Sequence, residues 1–112
     1  MPDHGDWTPE LTIVSTKTIG YLLNLDHRTG RHKAKWFYAR GFSAEYDPPF
    51  LLALFAHGKP AHLAREFDTE FGRRYVYEGP LACPDGTSPP FRSVWQSSGT
   101  DERRFLVTAY PL

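Results

Sequence analysis

The chain has 112 residues, and its 13 Lys and Arg balance its 13 Asp and Glu, so the formal net charge is zero. This length fits one domain with a core of its own. A content of 40% hydrophobic and 15% aromatic residues excludes a disordered tail. The single cysteine, Cys83, excludes a disulfide framework and a cysteine-rich zinc site.

The same inspection excludes several further classes of protein. No apolar run reaches the roughly 18 residues of a membrane span. The N-terminus has no basic stretch followed by an apolar one, so it is not a signal peptide. Neither a P-loop nor a GxGxxG motif occurs, so we expect no nucleotide cofactor and, more broadly, no cofactor. We therefore expect a cytoplasmic protein.

Residues 1–10 are polar and predict a flexible lead-in to a single domain over residues 11–112. The β-branched run Leu11–Val14 is typical of an edge strand. Apolar residues then recur at helical spacing and predict a first helix over residues 17–25.

Turn-forming residues separate this helix from a second one over residues 31–40, which Gly41 ends because glycine adopts the left-handed conformation easily. Asp47 followed by Pro48 predicts the start of a third helix, which Gly58 ends. The residues of this helix that we expect in the core are Leu51, Leu54 and Phe55.

In the second half of the chain, the spacing of apolar residues changes from that of helices towards the alternation typical of strands. Residues 62–71 fit a helix or a strand, and their alternation favours extended structure. Residues 73–82, 91–96 and 104–110 are rich in β-branched and aromatic residues and predict strands. The order predicts an α+β domain in which two to three N-terminal helices pack on a roughly four-stranded antiparallel sheet.

The charges are distributed unevenly, and the neutral total conceals a basic segment over residues 27–44 that contains no acid. Basic side chains at the start of a helix favour phosphate binding, because the backbone N–H groups and the helix dipole add to their charge. A solvated helix face is the alternative. The predicted phosphate-binding residues are Arg28, Arg31, His32, Lys35 and Arg40, and the predicted base-stacking residue is Trp36.

Four histidines form two pairs, His27 with His32 and His57 with His62, each pair five residues apart. This is not the spacing of paired metal ligands on a helix, so we expect no metal, although a site made of histidines alone stays open. Each histidine taken singly also fits a structural or surface role.

Histidines beside lysines suit RNA cleavage better. Attack by the 2′-hydroxyl needs a general base, a general acid and a cation that stabilises the phosphorane. The segment 27–35 contains histidines and lysines, and the hydroxyls of Thr108 and Tyr110 on the last strand could bind the phosphate.

Four pieces of the sequence carry a resemblance over most of the chain: LLN-x-x-H-x-x-G-x-x-KA over 22–34, Gly41-Phe42, GPL-x-x-PDG over 79–86, and TAYP over 108–111. They resemble a bacterial family of small domains of unknown function. The layout of that family resembles the toxin ribonucleases grouped as barnase–EndoU–colicin–RelE, which cleave RNA without a metal. Carried over by position, the resemblance implies a catalytic set of His27, Lys33, Thr108 and Tyr110.

The expected function is therefore a toxin-like, metal-independent endoribonuclease that cleaves RNA, either tRNA or mRNA, and is held in check by a small antitoxin or immunity protein. The N-terminal Met and the lack of a delivery segment favour a free-standing toxin or a non-toxic relative. The alternatives are a non-catalytic RNA- or protein-binding module and a regulatory partner protein.

Overall fold

The structure is a computed structural model that describes residues 10–112, so the predicted lead-in lies outside the described residues except for Glu10. The domain is α+β, as the sequence predicts, with helices packed on one face of a mostly antiparallel sheet. Within the described part of the chain, no helix has both the length and the hydropathy needed to cross a membrane.

In the part of the chain that the structure describes, three helical segments precede the main strands. The first, α1, begins as Ser15–Lys17 and continues as wider turns over Thr18–Leu22, where the N–H of Leu23 donates to the carbonyl of Thr18. This wider winding ends the helix earlier than predicted, and it buries both Leu22 and Leu23. The other two helices are α2, Arg31–Ala39, and α3, Pro48–His57, and a short 3₁₀ turn, Pro60–His62, follows.

Helix α3 buries a face that matches the predicted one only in part. Phe50, Ala53, Leu54 and His57 are buried, whereas Phe55 is 39% exposed. Almost every residue of this helix is apolar, so the position of the apolar residues does not determine which side packs on the sheet.

In residues 10–112 five strands form one sheet: β1, Leu11–Thr12; β2, Leu63–Thr69; β3, Gly72–Pro80; β4, Pro90–Gln96; and β5, Arg104–Pro111. Their order across the sheet is β1-β5-β4-β3-β2. All neighbouring strands are antiparallel except the two-residue β1, which is parallel to β5. Residues 62–71, for which the sequence left two alternatives, form mainly strand β2.

The two faces of the sheet differ because side chains alternate along each strand. One face carries large apolar residues that pack against Phe37 of α2 and Phe50 of α3. Its buried members are Tyr77, Phe91, Trp95, Leu106 and Ala109. The opposite face, which we call the open face, carries Arg65, Phe67, Arg74, Val76, Arg92, Val94, Thr108 and Tyr110.

Candidate active site

A cleft of about 620 Å³ lies where α1 and the turn before α2 meet β5. The four predicted catalytic residues, His27, Lys33, Thr108 and Tyr110, all line this cleft, although they come from opposite ends of the chain. The lining is drawn from the described residues and includes two lysines and no carboxylate; its other members are Thr16, Lys17, Tyr21, Thr29 and Val107.

His27 is held by the backbone of the turn that starts α2. Its Nδ1 accepts hydrogen bonds from the N–H groups of Thr29 at 3.1 Å and Gly30 at 2.9 Å. The carbonyl of His27 accepts the N–H of Arg31, the first residue of the helix. Because Nδ1 is an acceptor, the hydrogen-bond network assigns the proton of the neutral ring to Nε2. Within residues 10–112, no group accepts a hydrogen bond from that Nε2.

Tyr21 lines the cleft and contacts both Thr108 and His27. Its hydroxyl is 3.3 Å from the hydroxyl of Thr108, and its ring meets the His27 ring edge-on with 5.0 Å between centroids. Gly30 makes room for this ring, because a Cβ at Gly30 would lie 2.6 Å from Cδ1 of Tyr21. The Tyr21 ring is therefore fixed against the start of α2.

Two ammonium groups flank the Tyr21 ring. The Nζ of Lys33 lies 5.4 Å and the Nζ of Lys17 5.9 Å from its centroid. Burial raises the pKa of the Tyr21 hydroxyl, but hydrogen bonds with Thr108 and Lys33 lower it. The positive charges of Lys33 and Lys17 lower it further, so the pKa lies below its ordinary value.

The cleft continues onto the open face of the sheet through Thr108 and Tyr110 of β5. A neighbouring hollow of about 210 Å³ shares these two residues and is lined by Arg65, Arg74 and Arg92. Arg92 donates to the Tyr110 hydroxyl at 3.1 Å and pairs with Glu78, whereas neither Arg65 nor Arg74 forms a salt bridge with a described residue. These three arginines are not among the site residues that the sequence predicts.

The predicted phosphate-binding residues, which lie on α2 and just before and after it, are not among the described residues that line the cleft. Arg40 is within 4.0 Å of Asp85 and packs over the ring of Trp36 at 5.1 Å. Trp36 in turn stacks on Phe91 with 5.7 Å between centroids, so its contacts are those of a packing residue. Arg28, Arg31, His32 and Lys35 are exposed and do not line the cleft.

Tyr21 and Lys17 are members of the cleft that sequence reasoning missed. A tyrosine inside an apolar helical stretch is ordinary core material, so nothing in the pattern separates Tyr21 from its neighbours Leu22 and Leu23. Its position becomes informative only when the last strand brings Thr108 to its hydroxyl.

The second histidine pair forms a closed arrangement on the helix side of the sheet. His57 is 1% exposed, its Nδ1 accepts the Ser93 hydroxyl at 2.7 Å, and its Nε2 donates to the carbonyl of Phe91 at 3.0 Å. His62 donates from Nδ1 to the carbonyl of His57 at 2.8 Å. Within the described chain, no group of three or more His, Cys, Asp and Glu side chains is arranged to hold a metal ion.

Another hollow, of about 470 Å³, lies at the opposite end of the sheet. Its lining includes the carboxylates of Asp68, Asp101 and Glu102, and Arg73 beside them pairs with Asp68 at 2.7 Å. Carboxylates repel a phosphate, so the cleft at His27 is the better candidate for an anionic substrate.

Comparisons with known proteins concern both the family and the fold. Residues 6–112 match the model of a family described as "Domain of unknown function (DUF6883)". No curated protein matches. The fold is similar to that of one chain in a contact-dependent growth inhibition toxin–immunity protein complex from Klebsiella pneumoniae 342, with a TM-score of 0.67 and 14% identity. The likeness covers 89% of this chain and 98% of that one.

Proposed function

Since the chain belongs to a family whose function is unknown, we propose its function from its site: metal-independent endoribonucleolytic cleavage of RNA, as a toxin-like domain of a toxin–antitoxin or toxin–immunity pair. The observation that carries the proposal is the convergence of His27, Lys33 and Thr108 on one cleft, to which the described residues contribute no carboxylate.

The groups of the cleft suit a phosphodiester that passes through a pentavalent phosphorane. The ammonium groups of Lys33 and Lys17 supply positive charge where negative charge develops. The Nε2–H of His27 and the hydroxyl of Thr108 supply hydrogen bonds to the phosphate oxygens. The side of the cleft next to the open face is basic, which favours a chain of phosphates.

The proposed partner is a small antitoxin or immunity protein. The likeness to a chain of a toxin–immunity complex supports a toxin-like or an immunity-like role and, with it, a protein partner. The cleft favours the toxin-like role, because a partner that only blocks a toxin needs no convergent lysines and hydroxyls. Cleavage of tRNA or mRNA in the cytoplasm is the proposed consequence.

The test is cleavage of purified tRNA and mRNA with EDTA present, from about pH 5 to about pH 9. We expect products that end in a 2′,3′-cyclic phosphate and a 5′-hydroxyl. Intact RNA at every pH would contradict the proposal.

The matched variant is His27→Asn. The asparagine oxygen can still accept the N–H groups of the turn, as Asn does in an Asx turn, but the Nε2–H donor is lost. We expect the rate to fall by about 10²- to 10³-fold, the usual effect of removing one donor to a developing oxyanion. An unchanged melting temperature would assign the loss to chemistry.

A second candidate function is non-catalytic RNA binding. It is favoured by Arg65 and Arg74 of the open face, which form no salt bridge with a described residue. This function predicts RNA binding that falls steeply with salt and is unaffected by His27→Asn, with no cleavage by the wild-type protein.

A further inference from the structure

The hydrogen bonds of His27 leave it badly suited to move a proton. A neutral imidazole that accepts a proton must do so at its bare nitrogen, which in this ring is Nδ1. An imidazolium that gives up its Nε2 proton is left with a proton on Nδ1. Either transfer turns Nδ1 from an acceptor of the N–H groups of Thr29 and Gly30 into a donor that faces donors. The cleft therefore needs a different proton acceptor.

Among residues 10–112, the other titratable groups that line the cleft are Lys17, Lys33, Tyr21 and Tyr110. A protonated lysine has no lone pair with which to accept a proton. The hydroxyl of Tyr110 accepts a hydrogen bond from Arg92, on the side of the open face. Tyr21 alone has its hydroxyl directed at Thr108 with ammonium groups beside its ring.

We propose that Tyr21 is the proton acceptor for the attacking 2′-hydroxyl, and that His27 acts as a fixed Nε2–H donor without transferring a proton. This assignment rests on the proposed ribonuclease function. It gives Tyr21 a catalytic role for which its position is already fixed by Gly30 and by the edge of the His27 ring.

The groups that face the Tyr21 hydroxyl and ring either stabilise the negative charge of the phenolate or carry no charge that would repel it. Lys17 from α1 and Lys33 from α2 are cationic, and Thr108 from β5 can donate its hydroxyl proton to a phenolate oxygen. His27 in the turn is neutral in this hydrogen-bond arrangement, and no carboxylate of a described residue lines the cleft. The lowered pKa of Tyr21 agrees with this arrangement.

The step balances without a metal or a redox partner. The Tyr21 phenolate takes the proton of the 2′-hydroxyl, the 2′-oxygen forms a bond to phosphorus, and the bond from phosphorus to the 5′-oxygen breaks. The leaving 5′-oxygen takes a proton from a water molecule in the open cleft, and the resulting hydroxide recovers the proton from Tyr21. The products are a 2′,3′-cyclic phosphate and a 5′-hydroxyl end.

The experiment compares pH–rate profiles for cleavage of a single-stranded RNA oligonucleotide. For the wild type, kcat/KM should rise with pH as the phenol ionises and then level off. Tyr21→Phe keeps the ring against Gly30 and removes only the hydroxyl, so it should lower the rate by about 10²- to 10⁴-fold and abolish the rising limb. His27→Asn should lower the rate but keep the rising limb.

The control is Tyr46→Phe, which removes the same atom from a tyrosine that is 69% exposed and does not line the cleft. It should leave the rate and the profile unchanged. A wild-type rate and profile in Tyr21→Phe would overturn the Tyr21 assignment while leaving the ribonuclease function intact. The absence of cleavage by the wild type would overturn both.

A second measurement needs no RNA. The protein is labelled with ¹³C at the tyrosine Cζ atoms, and their NMR signals are followed as the pH is raised. One signal should titrate at lower pH than the others, and this signal should be absent from the spectrum of Tyr21→Phe. Replacing the flanking charge in Lys33→Met should move that titration to higher pH. A Tyr21 phenol that ionises with the exposed tyrosines would overturn the proposal whatever the activity.

Discussion

His27 and His57 are each followed by a second histidine five positions later, yet the fold uses them in opposite ways. His57 is buried and both of its ring nitrogens have protein partners: Ser93 on one side and the carbonyls of Gly79 and Phe91 on the other. His27 commits one nitrogen to the backbone and leaves the other without a partner among the described residues.

The difference shows that the role of a histidine depends on which of its ring nitrogens already form hydrogen bonds within the protein. Trp95 donates from Nε1 to the Ser93 hydroxyl at 2.9 Å, so the network around His57 extends into the core. Both ring nitrogens of His57 are therefore occupied by protein partners, and its side chain is 1% exposed. His27 instead lines a cleft with two lysines, where a phosphate oxygen could accept the Nε2–H that no described residue accepts.

The largest expected effect that tests this comparison is on stability. His57→Ala removes the hydrogen bonds to Ser93, Gly79 and Phe91 and leaves a cavity, so the free energy of unfolding should fall by about 2–5 kcal/mol. His32→Ala, at an exposed position, should change it by less than about 0.5 kcal/mol. Urea denaturation measures both. If the two variants lost the same free energy of unfolding, the burial of His57 would not explain its contribution to stability.

A smaller effect concerns pH. Burial lowers the pKa of His57 below its ordinary value, although hydrogen bonds to the carbonyls of Gly79 and Phe91 partly oppose this, and the nearby His62 lowers it further. The unfolded chain therefore binds a proton at His57 more readily than the folded protein does. The stabilisation is complete above the unfolded pKa of about 6.5 and is lost as the pH falls towards the folded pKa.

Denaturation at a series of pH values checks this sign. The wild type should lose stability between neutral and acidic pH more steeply than His57→Gln, whose side chain does not titrate. His32→Ala serves as the control and should keep the wild-type slope, since its exposed imidazole lacks the hydrogen bonds that hold His57. A slope that is equal in the wild type and His57→Gln would assign the acid sensitivity to other groups.

The sequence predicts the fold well wherever glycine, proline or a strong period marks an element. Helix α2 was predicted over 31–40 and is Arg31–Ala39, and β5 was predicted over 104–110 and is Arg104–Pro111. The bounds of α1 were wrong because its hydrogen bonds change to a wider pattern, which the spacing of apolar residues does not reveal. The core face of α3 was wrong at Phe55, where the helix is apolar on all sides.

The candidate site was predictable only in part, because it forms across the chain. The residue types at His27, Lys33 and Thr108 indicated a chemistry, and the structure brings them to one cleft, while their roles stay predictions. The hydroxyl of Tyr21 and the tautomer of His27 depend on hydrogen bonds with Thr108 and with a backbone turn. Contacts between segments that are distant in the sequence cannot be predicted from the spacing of residues within one segment.

The smallest expected effect is on RNA binding, and it distinguishes which basic surface next to His27 binds the RNA. The cleft continues onto the open face, so Arg65→Gln with Arg74→Gln should weaken binding of a single-stranded RNA. The slope of log affinity against log salt should fall by about 0.7 for each phosphate that the protein no longer neutralises.

The matched pair, Arg31→Gln with Lys35→Gln, removes the same charge from exposed positions of α2 that do not line the cleft, and should leave the slope nearly unchanged. Fluorescence anisotropy between about 50 and 200 mM salt, with His27→Asn as the common background to prevent cleavage, measures both slopes. A change confined to the α2 pair would mean that RNA crosses the helix, as the charge pattern of the sequence predicts, and that the open face serves another purpose.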